Sequence, residues 1–453
     1  MEETRKTLVF VGVAALVTVA AYLAAPADPT LEAFSDRGEV FFPEFTDPNE
    51  AASLEVIDFD EVTGGVAAFN VVFKGTRWRI PSHHNYPADD RDRLARTAAG
   101  LIEVRKDDVV AEVAADHEAL GVVDPLDEAV ASLAGRGKRV TIKDGNDNLL
   151  ADLIIGKSVP GREGTYRYLR VPGQKRTYAA RFDVDVSSRF GDWIEKDLLE
   201  VDQDRIEQVV LKDYSIDERT RVLNQRDTII LTRGDPDWTA NRMRSGDKVD
   251  GVKMEDLLKA LDELTIVGVR PKPAGLSRSL EDNEGISITR GDLASLQEKG
   301  YFFTRDGQLV SNEGETQVRT ADGVVYTLRF GEIVYGAGDA VTAGSGDAGV
   351  GGSDGPGENR YLFITTGFDA GMFPEPPRPG DLAFQTRADS LWTDADRTNA
   401  DLQDKHEAWR NNVDTGRRTS ADLNARFAQW YYVISADSFD RIHLRRGDLV
   451  TTE

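Results

Sequence analysis

Hydrophobic and polar positions along this chain fall into three kinds of text. Thr7 to Ala25 is 19 residues without a charge, rich in Leu, Val and Ala, with one Phe. That is long and apolar enough for one membrane-spanning helix, whose backbone groups all pair within the helix. Residues 26–52 carry prolines at 26, 29, 43 and 48 among scattered acids, which predicts an extended stalk. Within it, the run Phe41-Phe42-Pro43-Glu44-Phe45 is expected to dock onto the body that follows.

From Leu54 the pattern becomes that of a folded body. Leu54-Glu55-Val56-Ile57-Asp58-Phe59 alternates with period two, as a half-buried strand does. Val66–Phe73 and Thr76–Ile80 read as a hairpin broken at Lys74-Gly75. Leu94, Ala95, Ala98, Leu101 and Ile102 share one helical face, predicting a helix from Arg91 to Val104. A second short helix is expected over Asp108–Leu120, closed by Gly121. Arg139–Lys143 and Leu149–Ile155 then flank the turn Asp144-Gly145-Asn146-Asp147, and Thr165–Val171 and Thr177–Phe182 flank Pro172-Gly173-Gln174-Lys175. Trp193 and Leu198-Leu199 close this unit.

The same order then returns. Ile206–Lys212 and Thr228–Thr232 read as strands, with Trp238 standing where Trp78 stood. A helix over Lys253–Leu264 buries Met254, Leu257, Leu258, Leu261 and Leu264. Gln317–Gly323 parallels Arg139–Gly145, Val324–Gly331 parallels Leu149–Gly156, and Asn359–Phe363 parallels Tyr166–Arg170. Trp430-Tyr431-Tyr432-Val433 parallels Thr177-Tyr178-Ala179-Ala180. The expectation is therefore an α+β fold: two tandem repeats of antiparallel hairpins with packed helices, 53–203 and 204–453, behind one N-terminal transmembrane helix. The second repeat carries a Gly-rich insertion at 336–357 and a polar one at 367–426, partly helical around Arg397–Arg410. Insertions between hairpin strands project from a body and are natural contact sites.

Charge gives the apolar segment a direction. Arg5-Lys6 precede it, and the positive-inside rule keeps residues 1–6 in the cytoplasm, with the body exported. A cleaved signal peptide is the competing reading, with Ala25-Pro26-Ala27 as a small-residue site. The apolar run exceeds the usual signal core of about 7–15 residues, and proline crowds the site. An uncleaved anchor through residues 7–25 in the lipid bilayer is favoured; a buried soluble helix fits poorly with the basic flank. The expected location is the bacterial cytoplasmic membrane, with a single pass and the body outside the cytoplasm.

The formal net charge of −24 argues against nucleic acid, whose phosphates need neutralising by Lys and Arg. The absence of cysteine excludes disulfides, thiolate metal sites and a cysteine nucleophile. The glycines from Gly336 onward lack the GK[ST] of a phosphate loop. His83-His84 with Asp89, Asp90 and Asp92 lack the spacing of a helical ligand pair, and acids before a helix serve its N-terminal charge. Asp144-Gly145-Asn146-Asp147-Asn148 opens like a calcium loop, but Leu149 stands where glycine is required, so it reads as a turn. His117, His406 and His443 lie far apart in sequence, and no GxSxG elbow is present. Trp78, Trp193, Trp238, Trp430, Tyr431 and Tyr432 read chiefly as core aromatics. No catalytic, cofactor or metal residue is assigned.

Several of these stretches resemble one family. The N-terminal anchor, Phe-Phe-Pro-Glu-Phe at 41–45, Trp78-Arg79-Ile80-Pro81, Tyr-Leu-Arg-Val-Pro-Gly at 168–173 and Trp-Tyr-Tyr-Val-Ile at 430–434 are similar to the domain-of-unknown-function family 4340. The resemblance reaches from Leu54 over most of the chain. It implies a membrane-anchored extracytoplasmic protein associated with ABC-transporter membrane or ATPase subunits, including gliding-motility auxiliary proteins. The function expected is accordingly a non-enzymatic accessory role through protein–protein interaction. An exported hydrolase of envelope polymers and a homo-oligomeric envelope scaffold are the other two readings.

Overall fold

The computed structural model describes residues 36–452 except 62–63, 90, 163–164, 218, 221, 283–287 and 336–357. The apolar segment 7–25 and the Gly-rich insertion 336–357 lie outside the described residues. Among those described, no helix is long and apolar enough to cross a membrane. The fold is α+β with antiparallel sheets. Contacts divide it into two compact units, one of residues up to Ala52 with Ala95–Val186, the other of Ser53–Leu94 with Ser187–Glu453.

The chain first builds strands β1 (Ser53–Phe59), β2 (Val66–Lys74), β3 (Arg77–Ile80) and β4 (Tyr86–Pro87), hydrogen-bonded in the antiparallel run β4-β3-β2-β1. The period-two reading of β1 holds over Leu54 and Val56, which are fully inside, and breaks at Ile57, which is buried as well. Helix α1 (Arg91–Glu103) follows within a residue of its predicted span, and the boundary between the units falls inside it.

In the first unit, Phe41 and Phe45 are buried as expected, and Phe41 meets Tyr178 edge-on at 5.2 Å. The predicted helix over Asp108–Leu120 is instead strand β5 (Asp108–Ala111) and the one-turn helix α2 (His117–Leu120). Val109-Val110 is a β-branched pair, stiff at χ1, and Val109 pairs with Tyr178. Gly121 closes α2 in the left-handed conformation, φ 73°. The remaining strands are β6 (Lys138–Lys143), β7 (Leu149–Ser158), β8 (Tyr166–Arg170) and β9 (Thr177–Arg181). Their order is β6-β7-β8-β9-β5. The β6–β7 turn works through the Asp144 carboxylate, which accepts from the Asn146 and Asn148 amides at 2.8 Å each.

The second unit continues with β10 (Ile206–Asp217), β11 (Val222–Thr232), β12 (Thr239–Ala240), β13 (Asp247–Val249), α3 (Gly251–Asp262) and β14 (Gly268–Pro271). Asp250 caps α3 by accepting from the Val252 and Lys253 amides. Helices α4 (Ala274–Asp282) and α5 (Arg290–Glu298) and the hairpin β15 (Tyr301–Phe303), β16 (Leu309–Ser311) were not legible as elements in the sequence. Then come β17 (Glu315–Thr320), β18 (Val324–Tyr335), β19 (Glu358–Phe368), α6 (Asp394–Ala428), β20 (Trp430–Ile434), α7 (Ala436–Ile442), α8 (Arg446–Leu449) and β21 (Val450–Thr452). The main sheet has eight strands in the order β12-β11-β10-β17-β18-β19-β20-β14.

The polar segment after β19 departs most from expectation. It holds one 35-residue helix, α6, started by a reciprocal cap between Thr393 and Asp396. Its C-terminal half lies on the sheet: Thr366 Oγ1 donates to Ser420 O at 2.7 Å, and Leu423 and Phe427 are buried. A fully buried group of Tyr301, Phe363 and Tyr431 packs with Leu276, Leu280 and Leu296 from α4 and α5.

Candidate functional site

A concavity of about 860 Å³ in the second unit is built on the exposed face of the last two turns of α6. Asp422, Ala425, Arg426 and Gln429 recur at helical spacing along this face, while Leu423 and Phe427 point into the core. Strand β20 continues the wall with Trp430 and Tyr432, and β3, β4 and the residues after them bring Arg77, Trp78, Arg79, Tyr86 and Asp89. Tyr86 meets Trp430 edge-on at 5.0 Å. Behind it, Tyr86 also contacts Phe190, on which His83 stacks at 4.6 Å.

The rim is a loop over residues 195–200, anchored by buried Leu198 and Leu199. Glu195 Oε1 accepts from the Asp197 amide at 3.1 Å, and Asp197 Oδ1 accepts from the Glu200 amide at 2.6 Å. These bonds hold Glu200 at φ 53°, a conformation that costs a non-glycine residue about 1 kcal/mol or more. The Glu200 carboxylate pairs with Arg426, whose Nη2 also donates to Asp197 O at 3.3 Å. Farther toward the N-terminus of α6 a second cleft of about 580 Å³ shares Glu200 and offers Asn411, Asn412, Thr415 and Thr419.

Burial pushes the Tyr86 phenol up to about 12, with nearby Arg426 opposing that rise, so Tyr86 stays neutral. Burial and the Asp262 and Glu195 charges raise Asp197, whereas the Asp197 amide lowers Glu195. The carboxyls of the rim are therefore already engaged in the turns of their own loop. The large cleft lines up five carboxylates, three guanidinium groups and four aromatic rings, with no histidine, serine, threonine or lysine. Such a set offers ion pairing, hydrogen bonding and stacking; it holds no hydroxyl–imidazole pair of the serine-triad kind.

The histidines weighed for chemistry in the sequence sit in separate local surroundings. His83 is buried against Phe190, with Nδ1 2.9 Å from Ser82 Oγ, and His84 turns into the left-handed region at φ 57°. His117 Nε2 meets Lys175 O at 2.8 Å, His406 meets Glu375 at 3.1 Å, and His443 stacks on Phe439 at 4.7 Å. Among the described residues, no group of three or more His, Cys, Asp and Glu is disposed to hold a metal ion. Trp193, Trp430, Tyr431 and Tyr432 are core residues, as read; Trp78 and Trp238 are half-buried, and Trp78 with Trp430 lines the cleft. Sequence reasoning missed this site because its parts lie more than 300 residues apart. The one signal was Arg77-Trp78-Arg79, an aromatic between two cations on a short strand.

The fold is antiparallel α+β, and its second unit carries a cleft lined by charged and aromatic groups. Residues 78–279 match the family model described as Domain of unknown function (DUF4340). The match runs from Trp78 on β3 to Ser279 on α4, a shorter reach than Leu54 onward. No curated protein and no solved structure matches the chain.

Proposed function

We propose that this chain is a single-pass, membrane-anchored extracytoplasmic accessory protein of an ABC-type transport complex, acting by protein–protein contact. One observation carries the contact-driven part of this reading: the 860 Å³ cleft is lined by ion-pairing, hydrogen-bonding and stacking groups and holds no hydroxyl–imidazole pair. The uncharged run 7–25 behind Arg5-Lys6 supports the anchor and its orientation. The partner class rests on the family resemblance. Crosslinked pull-down of the full-length protein from native membranes, read by mass spectrometry, tests it. Recovery of an ATPase and its membrane subunits is the expected result. Recovery of the protein alone would favour a homo-oligomeric scaffold instead, and protease protection of the body in intact spheroplasts would overturn the orientation.

Strand order supports the finer reading of two tandem copies. The run β3-β2-β1 has its counterpart in β12-β11-β10, and β6-β7-β8-β9-β5 in β17-β18-β19-β20-β14. In both, a strand that follows a helix and precedes the meander returns to pair with the meander's last strand: β5 on β9, β14 on β20. Two unrelated sheets would rarely share that return, since sequential strands usually pair.

A further inference from the structure

We propose that the 860 Å³ cleft beside α6 binds an arginine side chain presented by an extended segment of a partner protein. The assignment deepens the contact-driven reading above and rests on it only for the statement that the ligand belongs to a partner.

Charge selects the sign of the ligand. Five carboxylates face three guanidinium groups in the cleft, and Asp89, Glu195 and Asp422 among them are exposed to solvent. The whole chain carries −24, a field that draws cations and repels anions. A neutral ligand would desolvate these carboxylates without replacing their hydrogen bonds, which costs free energy.

Geometry selects arginine over lysine. The cleft combines indole rings with carboxylates, and a planar guanidinium can stack on the first while bridging the second with two parallel hydrogen bonds. A lysine ammonium has no such plane. The chain uses the same combination for its own residues: Arg93 lies 5.6 Å from the Trp193 ring and 3.7 Å from the Asp192 carboxylate. Arg233 covers the Trp238 ring at 5.0 Å. In the cleft, Trp78 and Trp430 share the lining with Asp89 and Asp422. The volume falls in the ordinary range of about 300–1,000 Å³ for ligand pockets. It exceeds one side chain, leaving room for the flanking residues of an extended segment.

Arg426 is the internal counterpart of this ligand. Its guanidinium occupies one acidic position of the cleft, on Glu200 and the Asp197 carbonyl. Removing that guanidinium frees Glu200 for the incoming one, so Arg426→Gln should strengthen binding, a direction that damage to the fold cannot imitate.

The test is calorimetric titration of the full chain in detergent micelles, at low salt, with acetyl-Gly-Gly-Arg-Gly-Gly-amide. The same peptide with citrulline keeps the shape and removes the charge. The arginine peptide is expected to bind at least tenfold more tightly than the citrulline peptide. Asp422→Asn should weaken it severalfold without moving the thermal midpoint, and Arg426→Gln should tighten it. Equal binding of both peptides, no heat from the arginine peptide at millimolar concentration, or weaker binding by Arg426→Gln would each overturn the proposal. A membrane pull-down that recovers no transporter subunit would leave these results untouched, so the two readings fail separately.

Discussion

Lys272 Nζ donates a hydrogen bond of 2.9 Å to the carbonyl oxygen of Phe427, in the last turn of α6. The amine is fully enclosed, 3.9 Å from the Phe363 ring centroid and 5.5 Å from that of Tyr431. A cation suits the exposed carbonyls of a helix C-terminus and the faces of aromatic rings. Burial acts the other way and holds the Lys272 amine well below its ordinary value. The unfolded chain therefore binds more protons than the native one between the two values, and stability must rise with pH across that window. Lys272→Met, which keeps the length and loses the titration, should flatten the rise. Urea unfolding of both forms at about pH 7 and about pH 10 measures it; parallel slopes would show that Lys272 titrates as it does in the unfolded chain.

Acid should act on His83 in a different window. Burial, with the His84 and Arg270 charges behind it, lowers its imidazole to about 4. The native state thus refuses a proton that the unfolded chain accepts near about 6.5. Its contribution is intact above that pH, falls away as pH drops toward about 4, and reaches at most about 3 kcal/mol. The ring stacks on Phe190 and lies 5.6 Å from Phe69, so His83→Phe keeps an aromatic surface there. Unfolding between about pH 7 and pH 4 should then be less acid-sensitive in the variant, and an NMR titration placing the imidazole near its free value would refute the assignment.

What was legible in the sequence follows from the range over which each feature is determined. The hairpins at Asp144–Asn148 and Pro172–Lys175 were readable because local turn chemistry fixes them. Helix α3 was readable because Met254, Leu257, Leu258 and Leu261 all face one core. Strand β5 was not, since four residues ending a polar stretch become a strand only by pairing with β9. Helix α6 was read short because its first half is polar on most sides and its buried positions, such as Ala400, His406 and Ser420, are not conventional apolar markers. The cleft inherits this blindness: Trp78 and Asp422 become neighbours only through the tertiary fold, and the identity of either residue alone does not announce it.

Arg136 should prove more important than its loop position suggests. Its guanidinium donates to five backbone carbonyls, of Ser132, Asp124, Pro125, Asp127 and Val130, at 2.8–3.3 Å. One planar fork thereby closes a loop that has almost no regular secondary structure. Arg136→Met leaves those carbonyls to find other donors and should cost about 2 kcal/mol or more. Arg136→Lys, with three donors at a single point, should recover only part of that. Denaturant midpoints rank the three forms, and protease sensitivity within 124–134 should rise in the same order. Equal stability of the lysine form would mean that charge alone suffices.

The last prediction sets helix propensity against packing at Gly416, inside α6. Alanine in place of a helical glycine ordinarily stabilises by about 1 kcal/mol. Here a Cβ would stand 2.4 Å from Asp322 O and 2.5 Å from Phe368 Cε2, closer than any real contact. The helix approaches the β17–β18 turn and the end of β19 at this point because residue 416 has no side chain. Overpacking of this kind costs about 1–3 kcal/mol, and a backbone carbonyl yields less readily than a side chain tip. The packing term is therefore expected to win, and Gly416→Ala should lower stability by about 1–2 kcal/mol net. Gly251→Ala, at the start of α3 with nothing within 4 Å, is the control and should stay within about 0.5 kcal/mol of the parent. If Gly416→Ala proved more stable than the parent, α6 would have to stand farther from the sheet than the structure has it.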